Sequence, residues 1–343
     1  MSLRYYRNLI TASQRACRLA SSQRPLFSSI PIHCILPRLQ PRAISTMTTS
    51  SFADTVVSAM RTLFPEVLAD KAWDNTGLLL GQAQLSATKD DTPGTVLLTN
   101  DLTAAVVDEA IREKASIIVS YHPVIFRALK SLTAQDPMQA QLLRLIASGI
   151  AVYCPHTAVD AANGGLNDWL CDILVGDQPD LVAGRSVIEP ITRTLPSELQ
   201  GLGYGRKVQL NKPTSLAVLL KNLSAGLGNQ RYMSVAVPQD SVADVNRTQS
   251  ISSVAVCAGS GADMLKDSDA QLLVTGEMSH HYALRHVQLG QTVVTVFHSN
   301  SERQYLTQRM KPMLEKALGS SGKVIVSTTD RDPFEVIDVS KLA

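Results

Sequence analysis

The chain has 343 residues, 45% of them hydrophobic and 18% charged, a balance that excludes disordered, collagen-like and coiled-coil proteins and suffices for one large core or two modest ones. Its formal charge of +2 hides an asymmetry: residues 1–53 hold seven arginines and no acid, leaving 25 basic against 30 acidic residues in the remainder. A mildly acidic body without basic clusters offers no electrostatic footprint for nucleic acid or for an anionic membrane surface.

From Met1 to about Thr46 the sequence is rich in Arg, Ser and Pro, with Arg4, Arg7, Arg15 and Arg18 set among Leu3, Leu9, Ile10 and Leu19. This is the composition of a mitochondrial presequence, which presents cations on one helix face and apolar residues on the other. Met47 offers a second start that would give a 297-residue cytoplasmic form. Apolar runs of five or six residues are too short to span a bilayer. Cys17, Cys34, Cys154, Cys171 and Cys257 are too scattered for a disulfide framework and fit a reducing compartment.

Beyond residue 54, short β-branched runs alternate with segments of helical period, the signature of an α/β fold. Val96 to Thr99, Ile117 to Ser120, Ile150 to Cys154, Met233 to Val237, Val254 to Cys257, Leu272 to Thr275, Thr292 to Phe297 and Val324 to Ser327 read as strands. Thr103 to Lys114 reads as an amphipathic helix entered through an Asp-Leu-Thr cap, and Leu166 to Leu174 as another, entered at Gly164-Gly165. Residues 178–213, punctuated by Pro179, Pro190, Pro196 and Pro213, and residues 238–250 read as irregular connections. Two interleaved lobes in residues 47–343 fit this order better than a single sheet. Trp73-Asp-Asn-Thr-Gly77 reads as a turn with a buried aromatic anchor.

Three histidines follow strand-like runs directly: His122, His156 and His298. In open α/β sheets the strand ends face a shared crevice, so groups distant in sequence converge there. Asp160 and Glu302 each stand four residues after one of these histidines, a spacing that lets both side chains meet one ion across a helical turn. Imidazole and carboxylate without thiolate suit zinc, manganese, iron or cobalt. Other readings stand beside this one. His122 fits a hydrogen-bonded histidine before a proline turn, and His156 a group orienting the ligands. Glu302 with Ser299 also fits a helix capping box. Gly259-Ser260-Gly261 reads as a turn that could offer amides to phosphate, and Glu277, His280 and His281 as helix-start residues near the site or in solvent. Neither a Gly-x-Ser-x-Gly elbow nor a glycine-rich nucleotide fingerprint occurs.

Several ordered motifs carry a resemblance across nearly all of residues 55–330: Trp73-Asp-Asn-Thr-Gly-Leu-Leu-Leu-Gly81, Ser120-Tyr-His-Pro-Val-Ile-Phe126, His156-Thr-Ala-Val-Asp-Ala-Ala-Asn-Gly-Gly-Leu-Asn-Asp168, Gly203-Tyr-Gly-Arg206, Gly276-Glu-Met-Ser-His-His281 and His298-Ser-Asn-Ser-Glu-Arg303. The chain resembles the Nif-three-like family (NGG-one-interacting factor three), whose bacterial members are often labelled GTP cyclohydrolase type I, type 2 homologs. The resemblance implies a two-lobed α/β subunit with mixed sheets around a dinuclear metal site, assembled as a homohexamer. By motif position, His122, Asp160 and Glu302 would hold one ion, and His298 and Glu302 the other, with Glu302 bridging and His156 beside them. Tyr121 departs from the pattern, because many bacterial members carry a metal-binding histidine there. Phenol is a poor ligand unless ionised, so one tightly held ion per subunit is the expectation, with a second in doubt. The implied activity is metal-dependent hydrolysis of a nucleotide-like substrate, with Glu302 or His156 moving protons. The alternative is a non-catalytic metal-binding scaffold with a protein partner.

Overall fold

The structure is a computed structural model that describes residues 51–81, 94–176, 178–241, 243–244 and 246–342. The arginine-rich leader and Met47 lie outside the described residues.

Apolar residues on both faces of short strands bury two sheets rather than one. The first sheet takes β1 (Gly77–Leu80), β2 (Gly94–Thr99), β3 (Ile117–Ser120) and β4 (Ala151–Cys154). The second takes the middle of the chain: β5 (Val182–Pro190), β6 (Gly203–Ser215), β7 (Ser234–Ala236), β8 (Ser250–Cys257), β9 (Leu272–Thr275) and β10 (Thr292–Thr295). The chain then returns, and β11 (Gly322–Val326) closes the first sheet beside β2. The strand orders are β1-β4-β3-β2-β11 and β5-β6-β8-β9-β10-β7. Both sheets are mixed. In the first, β4, β3, β2 and β11 run parallel and only β1 runs against them. In the second, β8, β9 and β10 are parallel, flanked by antiparallel β5–β6 and β7.

Strand alternation assigns the faces. Val96, Leu98, Ile117 and Val119 of the first sheet share one core with Val254, Val256, Leu272, Val274 and Val294 of the second. Trp169, Tyr305 and Phe64 pack edge to face within it, with centroids 5.9 and 6.5 Å apart. The intervening residues point the other way. Leu97, Ile118 and Val152 meet Val106, Val107 and Ala110 of the helix Ala104–Arg112, while Ala255, Leu273 and Val293 meet Leu265 and Ala270.

The sequence and the fold differ most between residues 178 and 213, where two strands replace the expected irregular connection. The prolines did not forbid them: β5 is an edge strand that ends on Pro190, and Pro213 lies where the β6–β8 register slips between Gln209 and Thr214. Edges and bulges are the places where a missing N–H costs no ladder bond. Among the described residues, no helix is long and apolar enough to cross a membrane.

Candidate metal centre

All four parallel strands of the first sheet end on one edge, and the segments that follow carry Asn100 and Asp101, Tyr121 and His122, His156, and Ser327 to Asp330. The parallel strands of the second sheet deliver Gly259, Glu277, and His298 with Glu302. The two sets of strand ends meet, and a cavity of about 760 Å³ lies between them, lined by Tyr121, His122, His156, Asp160, His298 and Glu302 among others.

His122, His298 and Glu302 come close enough that one ligand atom from each lies within 4.8 Å of the others. Glu302 is 2% exposed and enters between the two rings. Its Oε2 is 3.5 Å from His122 Nε2, and its Oε1 is 3.4 Å from His298 Nε2. Each ring is held from behind by a second acid: His122 Nδ1 meets Asp101 Oδ1 at 2.9 Å, and His298 Nδ1 meets Glu277 Oε1 at 2.8 Å. An imidazole that donates from Nδ1 leaves a lone pair on Nε2. Both lone pairs thus face a carboxylate, an arrangement that needs a cation or a proton between them. Burial alone lowers the His122 pKa, but Glu302 and Asp101 together lift it to about 10, so without a metal ion a proton fills that role. Carboxylate-anchored imidazole is also the arrangement that orients and strengthens metal ligands.

Two further observations fit an ion. Asn100 is fully buried and donates its Nδ2 to Glu302 Oε2 at 3.0 Å, while its own Oδ1 has no hydrogen-bond partner among the described residues. Gly259, at φ +61°, closes the cradle: a Cβ there would stand 2.9 Å from Glu302 Oε1 and 3.0 Å from His298 Nε2.

Asp160 and His156 line the cavity beside this trio. Asp160 Oδ1 accepts the Tyr121 hydroxyl at 2.6 Å. Burial pushes Asp160 up to about 6, against the pull of His156 and of that hydrogen bond. Tyr121 is 1% exposed, and its pKa is raised well above the usual phenol value by burial and then by Asp160 and Glu302. Its position makes it a donor to Asp160, and ionising it to ligate metal is disfavoured. His156 Nδ1 meets Asp74 Oδ1 at 2.7 Å. Burial opposes the charge on Asp74, yet hydrogen bonds from His156 and Thr157 hold it below the usual carboxylate range. The imidazoles follow one another, with His156 to His122 at 5.4 Å and His122 to His298 at 5.2 Å between centroids. Backbone strain is stored beside two of them: His156 has φ +31° and Phe297, next to His298, has φ +69°.

Several expectations change. Ser299 and Glu302 do not form a capping box. Glu302 itself occupies the N-cap of Arg303–Tyr305 without a side-chain cap bond, and the Ser299 hydroxyl donates to Asp332 Oδ2 at 2.6 Å. In Gly259-Ser260-Gly261 the two glycine amides are already taken, donating to Ser301 Oγ at 2.9 Å and Thr275 Oγ1 at 3.0 Å. His280 and His281 are exposed at a helix start and are not among the residues that line the cavity. Trp73 is 52% exposed and lines the cavity instead of anchoring a turn from within. Of the expected Asp-Leu-Thr cap, Thr103 caps the helix and Asp101 orients His122. Asn100 and Asp101 follow β2 directly, so the rule that found the histidines could have found them too.

The fold and this cluster define an α/β protein of two mixed sheets with a candidate metal centre where their strand ends converge. The model of the Duf34/NIF3 (NGG1p interacting factor 3) family matches residues 52–333, and the chain belongs to that family. Protein NIF3 homolog of Schizosaccharomyces pombe is 40% identical over 292 residues, which cover 84% of this chain and 99% of the relative. NGG1-interacting factor 3 of Saccharomyces cerevisiae is 40% identical over 289 residues, covering 82% and 96%. Among solved structures, a Bacillus cereus protein related to NIF3 matches with a TM-score of 0.67 at 20% identity, over 82% of this chain and 98% of that one, a likeness of fold.

Proposed function

We propose that the chain is a metal-dependent hydrolase acting on a nucleotide-like substrate, with His122, His298 and Glu302 holding the ion and Asp160 lending its second oxygen. The observation that carries this reading is the opposition of two carboxylate-anchored imidazoles to one buried glutamate. Bound zinc, iron, manganese or cobalt would polarise a scissile bond and make water a usable nucleophile near neutral pH. The residues do the rest. Asp101 and Glu277 fix the tautomer that presents Nε2, and His156, anchored by Asp74, can take up or release a proton at its own Nε2. Tyr121 occupies one oxygen of Asp160, so one tightly bound ion per chain is proposed, with a second weakly held. A homohexamer and import through the arginine-rich leader belong to the same proposal.

A second reading, a metal-binding interaction protein without turnover, draws on that Tyr121–Asp160 bond and on the name of the yeast relative as an interacting factor. Incubating the metal-loaded chain with a panel of nucleoside phosphates separates the two. A hydrolase releases product with a pH limb near neutrality, and both chelation and His122→Ala abolish the activity. A scaffold turns over nothing, and chelation changes only its assembly or partner binding.

A further inference from the structure

Two large aromatic side chains stand half in the open at the cavity that holds the candidate metal centre: Trp73 at 52% exposure and Phe126 at 47%. Neither belongs to a core cluster, and leaving so much aromatic surface in water forgoes the gain that burial would bring. The Trp73 ring is nevertheless held firmly. Its Nε1 donates to Asp70 Oδ2 at 2.9 Å, and Asp70 is tied in turn by the amide of Ala72 to its Oδ1 and by the Thr157 hydroxyl to its own backbone N–H. The ring stands edge to face with His156 at 5.7 Å and 86°, and Phe126 leans against it at 5.9 Å and 48°. Trp73 is therefore fixed next to the imidazole that itself packs on His122, with part of its surface uncovered. The same cavity is also lined by Lys266, at the end of the short helix Ala262–Leu265, an exposed side chain whose ammonium makes no ion pair among the described residues.

We propose that Trp73 and Phe126 form a ring-binding subsite, in which a planar π-rich heterocycle stacks on Trp73 while Lys266 receives an anionic group of the same ligand. Fixed aromatic rings bind heterocycles with little entropy loss because stacking needs no rearrangement. The subsite deepens the hydrolase reading by assigning the part of the substrate that does not react, and it rests on that reading for the chemistry but not for binding.

The chain contains two tryptophans. Trp169 is 1% exposed and donates to Gln308, so a ligand-induced change in emission reports on Trp73. Guanosine 5′-monophosphate and ribose 5-phosphate serve as probes with and without a ring, titrated into the full chain by fluorescence and calorimetry. The nucleotide should quench the emission and bind at least about ten-fold more tightly than the ring-less sugar phosphate, a margin typical of one stacked base. Trp73→Leu should remove that margin without changing metal content, Phe126→Ala should reduce it, and Lys266→Ala should weaken both ligands alike. Equal affinity for the two probes, no binding of the nucleotide, or a Trp73→Leu chain that still binds it with wild-type affinity overturns the proposal. Tight nucleotide binding without turnover would sink the hydrolase reading alone.

Discussion

Glu109 and Glu302 are two glutamates with almost no exposed surface, 3% and 2%, and they lie in opposite surroundings. Glu109, on the helix Ala104–Arg112, accepts from the amides of Thr328 and Thr329 at 2.9 and 3.3 Å and from the hydroxyls of Ser327, Thr328 and Thr329. These donors outweigh its burial and hold its pKa at about 2. Glu302 has one amide donor, Asn100, and otherwise faces two imidazole nitrogens at 3.4 and 3.5 Å, beyond good hydrogen-bond range. A carboxylate whose lone pairs are all used is a fastening. One left facing other acceptors is a place for a cation. The two are mechanically linked: the turn that Glu109 fastens carries Asp330, which accepts from the Asn100 amide at 2.8 Å and from Arg303 at 3.1 Å, the neighbours that frame Glu302.

The contrast extends to a second fastening, and there the largest effect is expected. Arg206 is 3% exposed and donates to Asp168 at 2.9 and 3.1 Å and to the carbonyls of Gly203, Gly205, Ala161 and Ala162. Arg206→Met leaves Asp168 only Arg185 and the Gly164 amide and takes the Arg206 donor from four carbonyls, and should cost about 3–5 kcal/mol in urea unfolding. A loss below about 1 kcal/mol would show that this cluster is not a fastening. Glu109→Gln should cost about 2–3 kcal/mol at neutral pH, since at least one buried donor loses its acceptor, while metal content stays at the wild-type level.

The pH dependence of stability sharpens the comparison. A carboxylate with a folded pKa of about 2 against 4.5 when unfolded binds fewer protons in the native state, so its contribution is complete above about pH 4.5 and fades as the pH falls towards 2. The wild-type chain should therefore lose more stability across that window than Glu109→Gln does, and parallel curves would contradict the assignment. The smallest stability effect is expected at Glu302: with metal chelated, Glu302→Gln keeps an acceptor for Asn100 and leaves Asp101 to pair with His122, so it should cost about 1–2 kcal/mol, less than Glu109→Gln. A cost comparable to that of Glu109→Gln would make Glu302 a second fastening.

Much of this frame could be read from the sequence. Strand-like runs such as Ile117–Ser120 and Leu272–Thr275 coincide with strands, because burial on both faces writes an unbroken apolar run. His122, His156 and His298, which line the cavity, stand out in the sequence because each follows a strand-like run. The sequence could not decide between cap and ligand for Glu302, since Ser-x-x-Glu is the same string in either role; the φ of −122° at Glu302 removes the cap. Glu109 is, in the sequence, only one residue of the amphipathic helix from Thr103 to Lys114, and its partners lie 218 to 220 residues away, a separation that no local pattern encodes. The strands β5 and β6 were hidden by prolines that edges and bulges tolerate. Trp73 departs from expectation because an aromatic beside a turn is usually buried, and local sequence does not reveal a cavity assembled from both sheets.

The most direct test of the central claim is metal counted per chain by elemental analysis, on full-length protein purified without chelator, for the wild type, Glu302→Gln and Glu109→Gln. The account predicts about one tightly held ion in the wild type and in Glu109→Gln, and none in Glu302→Gln, which remains folded. Equal metal in all three, or none in the wild type after zinc, iron, manganese or cobalt is supplied, would contradict it.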